Sequence, residues 1–204
     1  MLYDKVVVPP LNQQSIRLYI KPVTRKSQSN FAVNCYEWIE AFITSLIVVV
    51  ILFTFCFRVV NVNGPSMLPT LKSNDRVVLS SCFYKPRQGD VVVISHTQKL
   101  REPIIKRVIA LENQRVDIDF EKGVVSVDGV PLDESAYIRN GITDQPTDFK
   151  FPLTVPAGHV FVLGDNRAVS NDSRFSDVGM VDVRNILGKA EMVVFPFDRV
   201  GKIK

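Results

Sequence analysis

Residues 41–57 carry no charge, and no other stretch of this 204-residue chain limits its fold as strongly. Trp38 and Ile39 carry the apolar character ahead of the run, and Val59 and Val60 carry it past Arg58. About 20 residues rising 1.5 Å each cross the roughly 30 Å hydrocarbon layer of a bilayer. The stretches that follow are short and strand-like and offer nothing to cover such a helix on every side. The run therefore predicts one transmembrane helix, over residues 37–60, rather than a buried core helix. It starts too far into the chain, is too long and lacks a small-residue cleavage motif after it, so a cleavable leader is the poorer reading. Lys5, Arg17, Lys21, Arg25 and Lys26 precede it, and only Arg58 and Lys72 follow closely. That excess of basic residues predicts a cytoplasmic amino terminus, with the chain after the span outside. Tyr36 and Trp38 then fall at the inner interface. Residues 1–36 are polar, without sustained period, and read as a flexible or weakly structured cytoplasmic tail.

Beyond the span the pattern changes to short β-branched runs at residues 76–79, 90–94, 104–109, 116–120, 124–127, 159–163 and 190–195. Asp128-Gly129 after the fifth run is a hairpin signal. Strands of this length, broken by Gly and Pro, predict a mainly β domain over residues 61–204 with no second boundary inside it. Residues 133–155, with Gly141, Pro146 and Pro152, read as a connecting excursion. The net charge of +4 is spread rather than gathered into a stripe, which argues against a nucleic-acid partner. Cys35, Cys56 and Cys82 are odd in number and lack CxxC spacing, so they predict neither a disulfide framework nor a metal site, and read as three small free thiols, buried or lipid-facing. Two histidines, His96 and His159, leave little material for a metal centre, and no cofactor motif is present.

Three stretches could carry chemistry. Asn63-Gly64-Pro65-Ser66-Met67-Leu68-Pro69-Thr70 brackets a serine with two prolines that fix φ at their own positions, and Gly64 frees the backbone beside them. A hydroxyl held so tightly can be a nucleophile or simply part of a tight turn, and the local residues favour the turn. Lys106 lies in the strand-like run 104–109, on the face opposite Ile105 and Arg107. If its stem is buried, desolvation favours the neutral amine and the lysine can act as a base; if not, it is an ordinary solvated strand residue. Residues 164–174 hold Asp165, Arg167, Ser170, Asp172, Ser173 and Arg174 in a glycine-led loop, enough polar groups for a hydrogen-bonded network or for a plain surface loop.

Taken together and in order, these stretches resemble the type I signal peptidases, membrane-bound serine–lysine proteases. Gly64-Pro65-Ser66-Met67-Leu68-Pro69-Thr70 is similar to the family's Ser-Met-x-Pro-Thr box. Gly89-Asp90-Val91-Val92-Val93 resembles its Gly-Asp-hydrophobic box. Ile105-Lys106-Arg107-Val108-Ile109 resembles the box of the general base, and Gly164-Asp165-Asn166-Arg167 through Arg174 resembles the last box. Each box is short, but the ordered set after one membrane span is specific. The short interval between Lys106 and Asp165 leaves no room for the large second domain of the Gram-negative form and matches the compact Gram-positive form. One departure is Ala110-Leu111-Glu112-Asn113, where the family often carries Gly-Leu-Pro-Gly.

The resemblance implies that Ser66 is the nucleophile and Lys106 the general base. It implies that Ser170 orients the lysine amine and that Asp165, Asp172 and Arg174 form a structural ion-pair network. Val62, Met67 and Ile105 are expected beside two shallow pockets for small side chains. The implied partners are signal peptides of exported preproteins, bound as an added strand, and the lipid bilayer, with the secretion translocon as a further possibility. No cofactor or metal is implied. Gly64 stands where the Gram-negative form has a serine that helps bind the oxyanion, which leaves the second oxyanion donor unassigned. The alternatives are a membrane-anchored, non-catalytic scaffold and another serine–lysine peptidase on a related β scaffold.

Overall fold

The computed structural model describes residues 30–97, 99–138, 143–144 and 147–203. Helix α1 (Asn30–Cys56) is 27 residues long. Within it, Val33–Thr54 is long and apolar enough to cross a membrane, with none of that window buried in protein. Many of its residues are β-branched, which elsewhere favours strand, but a single segment in hydrocarbon can satisfy its own backbone groups only as a helix. Thr44, Ser45 and Thr54 turn their hydroxyls back onto the carbonyls of Glu40, Phe42 and Val50 at 2.8, 2.8 and 2.7 Å. The polar side chains of the run are thus satisfied without a neighbour. The helix begins at Asn30 and ends at Cys56, against the 37–60 expected from hydropathy. Residues 30–36 of the expected tail are helical, residues 1–29 lie outside the described residues, and Phe57 onward leaves the helix because a partner strand is waiting for it.

That strand is β1 (Phe57–Asn61), and β2 (Arg76–Ser80), β3 (Val91–Ile94), β4 (Ile104–Ala110), β5 (Arg115–Asp119) and β6 (Val124–Val127) follow it. The remainder are β7 (Val130–Pro131), β8 (Leu153–Thr154), β9 (His159–Leu163), β10 (Val181–Asp182), β11 (Ile186–Phe195) and β12 (Gly201–Lys202). The larger sheet runs β1-β2-β11-β3-β4-β9-β10, with β12 on β11, and the smaller runs β7-β6-β5-β8. All seven predicted strands are present, and every described pairing is antiparallel.

Strand alternation divides the core between the faces of the larger sheet. Val91 and Val93 of β3 pack with Val62, Met67, Leu71, Val77 and Leu79 on one face. Val92 and Ile94 pack with Val108, Val160 and Val162 on the other. A third cluster joins Ile109, Phe161 and Leu163 to Val116, Ile118 and Val125 of the smaller sheet. β3 and β4 are consequently buried strands, and whatever β4 carries is held in a dry setting.

The expectation of three free thiols is corrected here. Cys56 and Cys82 form a disulfide, their Cα atoms 4.8 Å apart, and Cys35 is free and exposed. The β1–β2 register pairs Phe57 with Ser80, and Ser81 N donates to Cys56 O at 3.0 Å. The hairpin ladder therefore brings the end of α1 against residue 82, a proximity that cysteine spacing does not reveal. A cross-link over 26 positions contributes about 2–4 kcal/mol by restricting the unfolded chain. Cys82→Ser should lower the thermal midpoint of the detergent-solubilised protein. A reducing agent should do the same to the wild type and leave the variant's midpoint where it is.

Candidate active site

The loop that carries Ser66 is closed by its own backbone. Val62 N donates to Asp75 O at 2.8 Å and Asn74 N to Val62 O at 2.9 Å, while Leu71 N donates to Met67 O at 2.9 Å. Gly64 has φ of +95°, a left-handed setting that disfavours any side chain, and its N–H reaches Ser73 Oγ at 2.9 Å. Gly64 is thus required by the backbone as well as lacking a side-chain donor. Met67 and Val62 point into the core, 1% and 4% exposed. Ile105 packs half-buried against the same cluster. The three expected pocket residues are therefore brought together in one apolar cluster, two of them fully inside it.

Lys106 stands in β4 beside Ile105, at the end of the strand that β9 does not pair. Its Nζ is 2.8 Å from Ser66 Oγ, and the residue is 3% exposed. Burial pushes the amine down from 10.5 to about 8. Asp172 opposes that shift, Arg174 adds to it, and Asp165 opposes it again. The Ser66 backbone N–H has no partner among the described residues, so it is available to an incoming oxygen.

Residues 164–174 close over this pair. Asn166 N donates to Ser66 O at 3.0 Å and Asn166 Nδ2 to Pro65 O at 3.2 Å, which fixes the serine loop to residues 164–174. Asp172 and Arg174 pair at 2.8 Å with both side chains fully buried. Asp172 also accepts from Gly164 N at 3.0 Å, and Arg174 Nη2 donates to Arg167 O at 2.8 Å. Asp165 does not join that pair. It holds Arg107 in a bidentate pair, Nε to Oδ1 at 2.8 Å and Nη2 to Oδ2 at 2.7 Å. It also accepts from Thr70 Oγ1 at 2.5 Å. The expected network is thus two buried pairs, one within the loop and one joining it to β4 and to the serine loop. Ser170 Oγ is buried without a hydrogen-bond partner among the described residues, so the structure brings Ser170 to the site without bonding it to Lys106.

Arg107, Thr70 and Asn166 were passed over in the sequence, although all three lie inside the quoted boxes. A charged residue directly after the lysine in an otherwise apolar strand was the available signal. Alternation sends Arg107 to the face opposite Lys106, where its guanidinium sits over the Tyr137 ring, Cζ 4.0 Å from the centroid.

Such a site can do nucleophilic chemistry. A neutral amine at hydrogen-bond distance can take the serine proton, and a free backbone N–H beside the serine can receive the charge that develops on a carbonyl oxygen. A family model described as signal peptidase, peptidase S26, matches residues 35–195. The signal peptidase I of Leptolyngbya laminosa is 37% identical over 161 residues, covering 74% of this chain and 74% of that protein. The probable signal peptidase I-1 of Synechocystis is 35% identical over 178 residues, with 82% and 86% covered. The signal peptidase I P of Bacillus subtilis subsp. natto is 32% identical over 180 residues, with 84% and 95% covered.

Gly164 lies against both Ser170 and the serine loop. A Cβ there would lie 2.1 Å from Ser170 Oγ and 2.6 Å from Ser66 O, and the second neighbour is backbone. Gly164→Ala should cost about 1–3 kcal/mol of stability in denaturant unfolding. It should also slow acylation of Ser66 by an electrophilic probe by about tenfold or more, because the serine loop has to move.

Proposed function

The chain belongs to the signal peptidase family, peptidase S26, and from that membership we propose that it removes signal peptides from exported preproteins with Ser66 as nucleophile and Lys106 as general base. The observation that carries the residue assignment is the 2.8 Å approach of a buried lysine amine to a serine hydroxyl. Neutral Lys106 accepts the Ser66 proton as Oγ attacks the carbonyl carbon of the last signal-peptide residue. The Ser66 N–H donates to the oxyanion, and its second donor is left unassigned. Protonated Lys106 then gives its proton to the departing amine of the mature chain. Water, deprotonated by Lys106, attacks the acyl-enzyme, releases the signal peptide as a carboxylate and restores Ser66. Asp165, Asp172 and Arg174 hold the surrounding loop, and Ser170 completes the wall around the amine.

The sheet supports binding of substrate as an extended strand. β9 pairs with β4 from Arg107 onward, so residues 104–106 have no strand on that side among the described residues, and a peptide added there passes Ser66. Val62, Met67 and Ile105 would then lie beneath the residues before the scissile bond.

The protein is a membrane-anchored peptidase by its apolar helix and its relatives. We further propose that its amino terminus is cytoplasmic and its catalytic domain faces the outer side of the plasma membrane, the reading that the basic residues ahead of α1 support. The Cys56–Cys82 bridge supports it too, since disulfides persist in oxidising compartments. The bilayer and the translocon then become neighbours of the site, which is where a signal peptide still seated in the membrane presents its cleavage position.

Cleavage of a purified preprotein in detergent tests the dyad. Ser66→Ala and Lys106→Ala should each lose activity on the order of a thousandfold or more, and substantial cleavage by either would reject the assignment. Because the active form is the neutral amine, the rate of the wild type should rise with pH through about 8. A rise seen only near 10.5, the ordinary lysine value, would contradict a desolvated base.

A further inference from the structure

Residues 133–155 read as a mere connection, yet their described part grips residues 164–174 at both ends. At the near end, Asp133 Oδ1 accepts from Ser135 N at 3.1 Å and from Ser135 Oγ at 2.6 Å, and Ile138 N donates to Glu134 O at 2.9 Å. This short turn presents Glu134 and Tyr137 together, with the tyrosine hydroxyl donating to Glu134 Oε1 at 3.0 Å. Glu134 holds both ends of the Arg167 guanidinium, Nη1 donating to Oε2 at 3.0 Å and Nη2 pairing with Oε1. Arg167 goes on to donate to Thr143 Oγ1 at 2.7 Å and to Gly164 O at 3.1 Å. Tyr137 meanwhile lays its ring against Arg107, the partner of Asp165. At the far end, Thr147 Oγ1 and Asp148 N donate to Arg174 O at 2.6 and 3.1 Å.

We propose that Glu134 and Tyr137 are positioning residues for the dyad, forming an outer brace that keeps residues 164–174 closed over Lys106 and water away from its amine. The proposal rests on the Ser66–Lys106 reading of the site. The inner fastenings act elsewhere: Asp172–Arg174 ties the loop to itself, and Asp165–Arg107 ties its first residues to β4. Arg167 is the side chain that fastens the near end of the loop outward, and it is 2% exposed. Glu134 is its one carboxylate partner among the described residues. A buried guanidinium that loses that carboxylate must reach water or strand its charge. Its movement pulls on Gly164, whose backbone touches Ser170 and the Ser66 carbonyl.

Lys106 faces Ser66, Asp165, Asp172 and Arg174, while Arg107 and Tyr137 stack on the other face of β4. Since burial is what lowers the amine most, water let in by a loosened loop must push it back toward the free-lysine value. A residue that only stabilises the fold would lower activity by the same factor at every pH.

The test is kcat and KM against pH for the full-length protein in detergent, with thermal midpoints, for wild type, Glu134→Gln and Tyr137→Phe. Glu134→Gln should lower kcat at pH 8 by about tenfold or more, with KM nearly unchanged. Its rising limb should move alkaline by about half a unit or more, so that the deficit narrows toward pH 10. Tyr137→Phe, which removes only the bond to Glu134, should shift the limb the same way by less. Should Glu134→Gln fail to fold, Thr143→Val beside Arg167 takes its place with the same expected shift. A limb that stays put in the folded variants overturns the brace and leaves the dyad intact. The dyad fails by a different result, cleavage retained in Lys106→Ala.

Discussion

In the proposed mechanism Lys106 takes a proton from Ser66. A lysine can do that near neutral pH only if something makes its ammonium form expensive, and burial away from water is what does so here. Lys106 stands in β4, a strand buried along most of its length between the cores on the two faces of the larger sheet. An amine so placed has lost hydration that the two nearby carboxylates, Asp165 and Asp172, only partly replace. Remove the burial and those carboxylates would favour the charged form, so the same site with water in it would be a poor base. The fold around the dyad can be understood as a means of keeping that one position dry while leaving an edge of β4 open to a peptide.

Three buried ion pairs surround the dyad: Arg107–Asp165, Arg174–Asp172 and Arg167–Glu134. Such pairs contribute little net stability, because desolvation offsets most of their attraction, but losing one partner leaves an uncompensated charge. Their value here is geometric. Arg107 sets Asp165 against Thr70 of the serine loop, Asp172 takes the Gly164 N–H, and Glu134 anchors Arg167 from outside the loop. The charges are balanced within the network, so the strongly polar loop can close over an amine without supplying it a dedicated counter-ion.

The sequence disclosed the strands because β-branched runs with alternating burial have a period that survives without context. It did not disclose β7, β8, β10 or β12, which at two residues each are too short to show a period. Ser66 and Lys106 were legible only as members of an ordered set of boxes; each alone had an ordinary structural explanation. The Cys56–Cys82 bridge was missed because the contact is created by the β1–β2 register rather than by cysteine spacing. Glu134 was missed because it meets Arg167 across 33 positions from a stretch with no strand or helix pattern. Arg107 was not singled out at all, and its place on the face of β4 opposite Lys106 is where it pairs with Asp165. The carboxyl-terminal end of the helix was displaced for a simpler reason: hydropathy continues into Val59 and Val60, but β2 claims their backbone.

The claim on which the rest depends is that Lys106 is neutral at working pH because it is buried. It can be measured without substrate by following the Nζ resonance of Lys106 through a pH titration of isotope-labelled, full-length protein in detergent, assigned by its absence from Lys106→Ala. The account predicts a midpoint near about 8, well below the 10.5 of a free lysine. A midpoint at the free-lysine value, in protein that still cleaves, would contradict it.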